Sequence, residues 1–335
     1  RRSSDLEYAK DGPIFWMGGR LATELIEVSD DPSCLDDGDF WAVSTTFEGA
    51  FTAAKFKTVV EADFPTSTWN PISTSWTSSP DQSGYISYVD KIRELIAQGW
   101  VYQVNACRQI SAENSNQNLR GLFSRILESN PAPWASYLEV PGINIASASP
   151  ELFLQRKGAR VKTSPIKGTQ NLGLGDFGVK DKSENIMIVD LMRNDLGMIC
   201  KSGSVEVTQL LYSQEHPGLQ HLVSDVEGDL VDGIRWRAIF QAISPPGSVS
   251  GAPKSSALST ISQNEIPRGP YCGALGWVQG DLAELSVAIR IFWKTEKLNF
   301  GTGAGITYSS DSQQEWEETE LKASRLVKIA AGQHR

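Results

Sequence analysis

The chain has 335 residues, and its 31 Lys and Arg against 40 Asp and Glu give a formal net charge of -9. This length allows one large domain or two, with a sizeable core. The negative charge repels phosphate backbones and anionic lipids, so neither nucleic acid nor a membrane is an expected partner. An anionic substrate would therefore require local positive charge, from a metal ion or from placed Lys and Arg side chains.

The first 84 residues predict strands and then a linker. Residues 1–64 mix short apolar stretches with acidic turns, which is typical of strands joined by tight turns. The stretch 65–84 is rich in Ser, Thr and Pro, and is predicted to be a mobile linker or surface loop at a candidate domain boundary. Apolar residues then recur at helical spacing from Tyr85 to Gln98, before Gly99, and predict a helix.

Further along the chain, strands and helices cluster rather than alternate. Segments rich in β-branched and aromatic residues predict strands over 101–110, 134–140, 143–149, 151–156 and 159–164, and again over 221–230, 271–278, 285–293 and 298–306. Helical patterns occupy roughly 181–201, 234–243, 254–263 and 311–331. This clustering predicts an α+β fold rather than a strictly alternating one.

The cysteines and the apolar runs indicate the cellular environment. Cys34, Cys107, Cys200 and Cys272 lie far apart and form no CxxC pair, which favours buried thiols in a reducing compartment. No apolar run approaches the roughly 18 residues that span a bilayer, and the first residues lack the apolar core of a signal peptide. We therefore expect a cytoplasmic protein.

Two of the predicted helices carry acidic residues three positions apart. Asp181 and Glu184 lie in KDKSENIMIVDL, and Glu315 and Glu318 lie in QEWEETELK. This spacing places each pair on one side of its helix. Two such pairs brought together would form an oxygen-rich site that suits Mg²⁺. Solvated helix faces carry the same pattern, so the spacing alone leaves both interpretations open.

Three side chains are candidates for catalysis. Lys167, in SPIKGTQ, is predicted to lie in a tight, exposed turn, either as an ordinary surface lysine or as a nucleophile activated by desolvation or a neighbouring cation. Glu151, in SASPELF, is either a general acid/base or a structural residue at a strand end. His221 is either an acid/base group or a structural histidine.

Three further features are candidates for anion binding. Arg290 interrupts the apolar strand SVAIRIFW, and a buried arginine needs a carboxylate from the protein or from a ligand. The run Gly301 to Gly305 offers backbone N–H groups to an anion, or is an ordinary strand-exit loop. Pro253 and Lys254 resemble the start of a helix, where an anion would also bind.

In order and content, these segments resemble the chorismate-utilising enzyme family over about residues 85–331. The resemblance is carried by SASPELF, SPIKGT, KDKSENIMIVDLMRNDLG, QHLVS, SVSGAPK, RGPYCGALGW, AIRIF, GTGAGI and EWEETELKASRL. It implies a large antiparallel β-sandwich of two sheets flanked by helices. Residues 1–64 would be an abbreviated N-terminal part of the same fold, and residues 85–331 the chorismate-binding catalytic region.

The resemblance also implies a cofactor and a set of substrate contacts. The cofactor would be Mg²⁺, bound by two glutamates with two further carboxylates in support: Glu184 and Glu318, then Asp181 and Glu315. Chorismate carboxylates would be held at positions that match family contacts: Gly168, Thr169, Tyr271, Arg290 and Gly303.

Two positions distinguish the branches of the family. Gln103, a further substrate-binding position, stands where the water-adding branch has an activating lysine, which favours addition of ammonia because ammonia needs no base. Lys167 matches the aminodeoxychorismate branch, in which a lysine attacks C2 of chorismate while Glu151 helps the C4 hydroxyl to leave. Anthranilate synthases typically have alanine at that position. His221 matches an active-site histidine tied to pyruvate elimination in anthranilate synthases.

Three functions remain open at this point. The resemblance favours amination of chorismate at C4 for p-aminobenzoate and folate synthesis, with ammonia from a separate glutamine amidotransferase subunit because no glutaminase triad motif is visible. Anthranilate synthase, which also eliminates pyruvate, is the nearest alternative. A catalytically silent protein that binds chorismate or an amidotransferase is the alternative from another class. The joint presence of Lys167, Glu151, Glu184 and Glu318 argues against the silent protein.

Overall fold

The computed structural model describes residues 12–114, 117–173, 175–216 and 219–333. Within these ranges the α-helices are α1 (Gln82–Ala97), α2 (Arg120–Ser129), α3 (Val179–Gly197), α4 (Trp236–Ile243), α5 (Lys254–Asn264) and α6 (Ser312–Ala330). The β-strands are β1 (Ile14–Met17), β2 (Arg20–Ser29), β3 (Phe40–Thr45), β4 (Phe51–Glu61), β5 (Thr77–Ser79), β6 (Gln103–Glu113), β7 (Trp134–Val140), β8 (Ile143–Ser149), β9 (Leu152–Lys157), β10 (Arg160–Ser164), β11 (Ile166–Asn171), β12 (Glu206–His216), β13 (Leu219–Asp229), β14 (Gly251–Ala252), β15 (Ala274–Gln279), β16 (Leu282–Val287), β17 (Ile291–Lys294) and β18 (Lys297–Ile306).

Hydrogen bonds join the described strands into one antiparallel network. From neighbour to neighbour the path runs β6–β18–β17–β8–β7–β1–β2–β4–β3–β15–β16–β9–β10–β13–β12. Strands β5 and β14 also pair with β6, and β11 pairs with β13. The expected α+β class, with a large antiparallel sheet and helices, is confirmed.

The two ends of this path face each other. Lys167 Nζ, on β11, lies 3.6 Å from the point where a Cβ on Gly305 of β18 would stand. Because β11 and β18 lie near opposite ends of the path, the sheet must curve through most of its width to bring them together. The resulting face-to-face arrangement is the one expected of a sandwich.

Segment 65–84 is packed against the body of the protein. Trp69 and Ile72 are buried, and Trp69 Nε1 donates a hydrogen bond of 2.8 Å to the carbonyl oxygen of Ala330. Strand β5, near the end of the segment, pairs with β6. Most of the segment is exposed and has no regular structure before β5, which agrees with the predicted surface loop, but its few apolar side chains anchor it to the body of the protein, so it is not a free linker.

Helices α3 and α6 carry the two predicted acidic pairs, and each has a buried face that fixes its orientation. In α3 that face includes Ile188, Met192 and Leu196, and the helix packs on β11, β12 and β13. In α6, Asp311 caps the first turn by accepting a hydrogen bond from Gln314 N. The helix then lies along β18. Helix α3 packs on strands at one end of the strand path and α6 on a strand near the other end, so each end carries one acidic pair.

Two local predictions were wrong. The single strand expected over 285–293 is divided into β16 and β17, because Arg290 adopts a positive φ of 53°. Lys167 lies inside β11 rather than in an exposed turn. The glycine run from Gly301 to Gly305 lies inside β18, in agreement with the strand predicted over 298–306, and the alternative of a strand-exit loop is excluded.

The cysteines and the helices can be compared with two features noted in the sequence, the predicted buried thiols and the short apolar runs. All four cysteines are free, and Cys107, Cys200 and Cys272 are buried, while Cys34 is half-buried. In the described ranges, no helix is both long enough and apolar enough to cross a membrane.

Candidate active site

Lys167 lies on β11 where that strand approaches α3. Gly168, directly after it, has a φ of 81°. A Cβ at Gly168 would lie 3.0 Å from Asp181 Cβ and 3.0 Å from Phe177 Cδ1, so glycine is required both by conformation and by space. This close approach sets Lys167 beside the first turn of α3, where the acidic pair begins.

The surroundings of Lys167 favour its neutral form. Burial lowers the pKa of Lys167, and the positive charge of Lys322 lowers it further. The carboxylates of Glu151, Glu184 and Glu318 act in the opposite direction without cancelling the effect. A lowered pKa raises the fraction of unprotonated amine at neutral pH, and the unprotonated amine is the nucleophile.

Glu151 is a buried carboxyl between β8 and β9, with 5% of its surface exposed. Its backbone is fixed on both sides, since Glu151 N donates to Ser149 Oγ and Glu151 O accepts from Val287 N. Burial raises the pKa of Glu151 to about 7, against the opposing effects of Ser248 and of the Lys167 charge. A carboxyl with this pKa can give or take a proton near neutrality.

Glu184 on α3 and Glu318 on α6 face each other across the site, and each has a lysine neighbour on its own helix. Lys180 Nζ lies 3.8 Å from Glu184 Oε1, and Lys322 Nζ lies 2.7 Å from Glu318 Oε1. Burial raises the pKa of Glu184, and the nearby Glu318 carboxylate raises it further. Glu318 is partly exposed; partial desolvation raises its pKa, but the charge and hydrogen bond of Lys322 together with the charges of Lys167 and Lys180 outweigh that effect, so its pKa is lowered.

The two remaining acidic residues complete a set of four carboxylates. Glu315 is buried, and burial together with the charge of Glu318 raises its pKa. The charge of Asp181 acts on Glu184 in the same way. As they stand, the described residues include no group of three or more His, Cys, Asp or Glu side chains close enough to hold a metal ion. The donors are nevertheless carboxylate oxygens from two facing helices, which suit Mg²⁺.

The opposite side of the site is formed by β18 and contains little side-chain volume at Gly305. A Cβ at Gly305 would lie 2.5 Å from Gln103 Nε2 and 3.6 Å from Lys167 Nζ. Gln103 is almost fully buried, and its Oε1 has no hydrogen-bond partner among the described residues. Gln103 and Lys167 therefore meet over one glycine, with a buried carbonyl oxygen available to a ligand.

Two more glycines of β18 permit close contacts. The ring of Tyr271 packs onto Gly301, and a Cβ at Gly303 would lie 2.7 Å from Cys107 Sγ. Lys322 Nζ donates a hydrogen bond of 3.0 Å to the carbonyl oxygen of Gly303. The Tyr271 ring therefore packs against β18, the strand that contains Gly303, but the Gly303 carbonyl is engaged by a lysine.

Arg290 lies at the break between β16 and β17. Its guanidinium makes no hydrogen bond or ion pair with any residue that the structure describes, while its backbone carbonyl accepts from Ala148 N. Burial lowers the pKa of Arg290, and Arg325 adds to the effect. A partly buried cation without a protein carboxylate is suited to a ligand carboxylate.

His221 and Thr169 are neighbours across β13 and β11. Ser224 of β13 donates to Asn185 of α3, whereas Asp225 contacts Lys162 on the other face of the sheet. Alternation along β13 places His221 on the face of Asp225, away from α3. Only the backbone of Thr169 is described.

The predicted anion site at the start of α5 is filled by internal contacts. Lys254 Nζ lies 3.2 Å from both carboxylate oxygens of Asp195, and Gly247 N donates to the same carboxylate at 3.1 Å. This ion pair ties the loop before α5 to α3. It leaves no unpaired cation for a ligand at that helix start.

Two residues near the centre of the site were missed. Lys322 acts on both Lys167 and Glu318, and its position four residues after Glu318 on α6 was the available signal. Ser248, in SVSGAPK, is buried beside Glu151, but an isolated serine in a loop gives no chemical signal from sequence alone.

The curved antiparallel network and the facing helices define the fold class of solved chorismate enzymes. The menaquinone-specific isochorismate synthase from Escherichia coli matches with a TM-score of 0.81 at 17% identity, covering 97% of this chain and 91% of that chain. Anthranilate synthase component I from Streptococcus pneumoniae matches with a TM-score of 0.78 at 22% identity, covering 95% and 90%.

The chain belongs to the chorismate binding enzyme family, whose model matches residues 43–328. It is 36% identical over 268 residues to anthranilate synthase component 1 from Saccharolobus solfataricus, covering 76% of this chain and 63% of the relative. It is 34% identical over 257 residues to aminodeoxychorismate synthase component 1 from Bacillus subtilis, covering 72% and 54%. The chain thus spans about half to two thirds of the length of these relatives, and they divide between the two activities.

Proposed function

We propose that the chain is the synthase subunit of an aminodeoxychorismate synthase, which aminates chorismate at C4 to give 4-amino-4-deoxychorismate. The observation that carries this proposal is the environment of Lys167. Burial and the charge of Lys322 lower its pKa, and Glu151, whose pKa is about 7, acts electrostatically on it. A neutral amine beside a proton donor is the pair that nucleophilic substitution of a hydroxyl requires.

Substrate binding uses the cations and the space on the β18 side. Arg290, which makes no ion pair in the described structure, binds the enolpyruvyl carboxylate in this proposal, together with Tyr271 and the backbone near Gly303. The ring carboxylate lies against the backbone of Gly168 and Thr169. Because Gly305 has no side chain, the substrate ring fits between β18 and Lys167.

In the chemical step, Lys167 Nζ forms a bond to C2 of chorismate. Both ring double bonds shift and the C4–O bond breaks, while Glu151 transfers its proton to the departing oxygen so that water leaves. Ammonia then adds at C4 and returns a proton to the Glu151 carboxylate, while the two double bonds move back and the bond from Lys167 to C2 breaks, which releases Lys167 as a neutral amine. Gln103 Oε1, a buried acceptor without a partner among the described residues, is placed to accept an N–H hydrogen bond in this step.

Four carboxylates would hold Mg²⁺: Glu184 and Glu318 as ligands, with Asp181 and Glu315 in support. When bound, the ion would orient the substrate's ring carboxylate and polarise the bonds around the reacting ring. Two lysines also balance part of the negative charge of these carboxylates: Lys180 lies beside Glu184, and Lys322 lies beside Glu318.

The remaining parts of the proposal concern the surroundings of the enzyme. Ammonia would come from a separate glutamine amidotransferase subunit, and the product would enter p-aminobenzoate and folate synthesis in the cytoplasm. The four free thiols, three of them buried, support that location.

Anthranilate synthase is the second candidate, because a curated relative with that name is 36% identical to the chain. Its reaction also eliminates pyruvate and aromatises the ring. The lysine at position 167 supports the first candidate, since the resemblance associates this position with alanine in anthranilate synthases.

The deciding experiment incubates the purified protein with chorismate, Mg²⁺ and an ammonium salt, with and without an added aminodeoxychorismate lyase. We expect a product that retains the enolpyruvyl group, and p-aminobenzoate only when the lyase is present. Anthranilate and pyruvate formed without lyase would establish the second candidate instead. Chorismate binding without turnover would support a silent binding protein.

A further inference from the structure

Arg108 is a buried arginine on β6 that reaches across to helix α6. Only 2% of its surface is exposed. Its Nε donates a hydrogen bond of 2.8 Å to Thr319 Oγ1, and its guanidinium lies 4.0 Å from the centre of the Trp316 ring. The two terminal nitrogens donate to Ser78 on β5 and to Glu320 on α6. One guanidinium therefore joins α6 to β5 and β6.

The α6 residues that Arg108 contacts stand next to the acidic pair in the sequence. Trp316 directly follows Glu315, and Thr319 directly follows Glu318. Successive residues of a helix point about 100° apart, so a contact that fixes one face also fixes the direction of the next. A carboxylate about 5–6 Å from the helix axis moves by roughly 1 Å when the helix turns by about 10°. The positions of both carboxylates therefore depend on a contact that neither of them makes.

Helix α3 has a comparable contact beside its own acidic residue. Asn185 directly follows Glu184 and is fully buried. Its Nδ2 donates a hydrogen bond of 3.1 Å to the carbonyl oxygen of Leu222, and its Oδ1 accepts one of 2.6 Å from Ser224 Oγ, both on β13. Both acidic helices are thus tied to the sheet by buried polar side chains, each next to a proposed metal ligand.

The proposed metal site needs such supports because its ligands come from two separate helices. The carboxylates repel one another, and in the described part of the chain they do not form a group that could hold a metal ion as they stand. An ion must therefore draw them together. Supports that limit the freedom of α3 and α6 reduce the cost of this step, and outer contacts that orient metal ligands typically contribute about 10–100-fold to metal affinity.

We infer that Arg108 is a positioning residue for the metal site, and that it acts through Trp316 and Thr319 without touching the ion or the substrate. Asn185 has the same role on α3. The inference rests on the metal site of the proposed function, but it does not depend on which product the enzyme forms. Loss of the Arg108 contacts should weaken metal binding about tenfold while the ligands themselves remain in place.

The first experiment measures binding of Mn²⁺, a paramagnetic substitute for Mg²⁺, by EPR of the free ion, with chorismate present and ammonia absent. Arg108→Gln should weaken Mn²⁺ binding about tenfold. Arg120→Gln is the matched control, because Arg120 is equally buried and pairs with Glu139 on β7. Glu139 is less exposed than Glu320, so the control should lower the melting temperature at least as much and leave Mn²⁺ affinity unchanged.

A second pair of variants tests the same contact without removing a charge. Thr319→Val deletes the hydroxyl that Arg108 Nε uses and should weaken Mn²⁺ binding about fivefold, the effect of one hydrogen bond. Thr319→Ser keeps the hydroxyl and should retain the affinity of the unmodified protein. In assays with ammonium, saturating Mg²⁺ should return kcat of Arg108→Gln to within about twofold of the unmodified value, because its role ends at the metal site.

The outcomes separate this inference from the proposed function. Equal Mn²⁺ affinities in the unmodified protein and Thr319→Val would overturn the inference, as would an equal loss in Arg120→Gln, which would show a general effect of stability. Absence of saturable Mn²⁺ binding by the unmodified protein would overturn the metal site and the inference together. Mn²⁺ binding that depends on Arg108, in a protein that does not aminate chorismate, would overturn the proposed function and support the inference.

Discussion

The two sides of the active site contribute different things. The charged side, formed by Lys167, Glu151 and Glu184, carries titratable groups whose pKa values burial and neighbouring charges shift. The glycine side, formed by β18 from Gly301 to Gly305, carries no charge of its own and supplies close backbone approach. The difference shows how an acidic protein can bind an anion: a few placed cations act across a gap that small residues keep open.

Removing the side-chain amine of Lys167, on the charged side, should reduce the amination rate more than any other change. Lys167→Ala is expected to reduce amination about a thousandfold or more, as removal of a nucleophile does in enzymes of this kind. Lys167→Arg should not restore activity, because a guanidinium stays protonated. Steady-state kinetics with ammonium salt measures both variants. Near-normal turnover by Lys167→Ala would rule out a covalent role.

The next largest effect is expected at the facing carboxylates. Glu318→Gln should reduce Mg²⁺-dependent turnover roughly a hundredfold, because it removes a charged oxygen donor while keeping the side-chain shape. Mg²⁺ titration of activity should show a weaker apparent affinity. Glu317→Gln, at the adjacent exposed glutamate, is the control and should titrate like the unmodified protein. Equal Mg²⁺ curves for both variants would count against the metal site.

A loss of about the same size, but with a diagnostic pH dependence, is expected for Glu151. The protonated form of Glu151 is the acid, and its pKa is about 7, so kcat should fall as pH rises through about 7. Glu151→Gln should lower kcat about a hundredfold at pH 6 and abolish that alkaline limb. The measurement is a kcat profile from pH 5.5 to about 8.5. Persistence of the limb in the variant would assign it to another group.

The smallest of these effects should come from the glycine side. Gly305→Ala places a methyl group 2.5 Å from Gln103 Nε2 and 3.6 Å from Lys167 Nζ. We expect KM for chorismate to rise about tenfold with a modest fall in kcat, because the gap narrows without any loss of charge. Gly197→Ala, where the added Cβ meets nothing within 4 Å, is the control and should be neutral. A normal KM in Gly305→Ala would show that this side does not limit substrate binding.

Most helices and strands could be predicted from the sequence, because their patterns are local. The pattern predicted helices over 181–201 and 311–331, and the structure has them at Val179–Gly197 and Ser312–Ala330. Two structural features could not be predicted from local sequence patterns. The anchoring of segment 65–84 by Trp69 depends on a contact with Ala330, and the break at Arg290 depends on one backbone angle.

The candidate site was predictable in its residues but not in its electrostatics. The acidic pairs and Lys167 were identified from motifs and spacing. The direction of the Lys167 pKa shift depends on burial and on Lys322, which approaches from a helix about 150 residues later in the chain. Such an effect requires the folded chain, since no local pattern contains it.

The strand path also has a consequence for the order of folding. Strand β6 pairs along its length with β18, so that Val104 lies opposite Ile306, roughly two hundred residues away in sequence. Contacts of such long range carry a large loop-closure entropy and form slowly. Gln103 and Gly305 lie on these two strands, so binding of chorismate should develop only late in refolding and should serve as a kinetic reporter that β6 and β18 have paired.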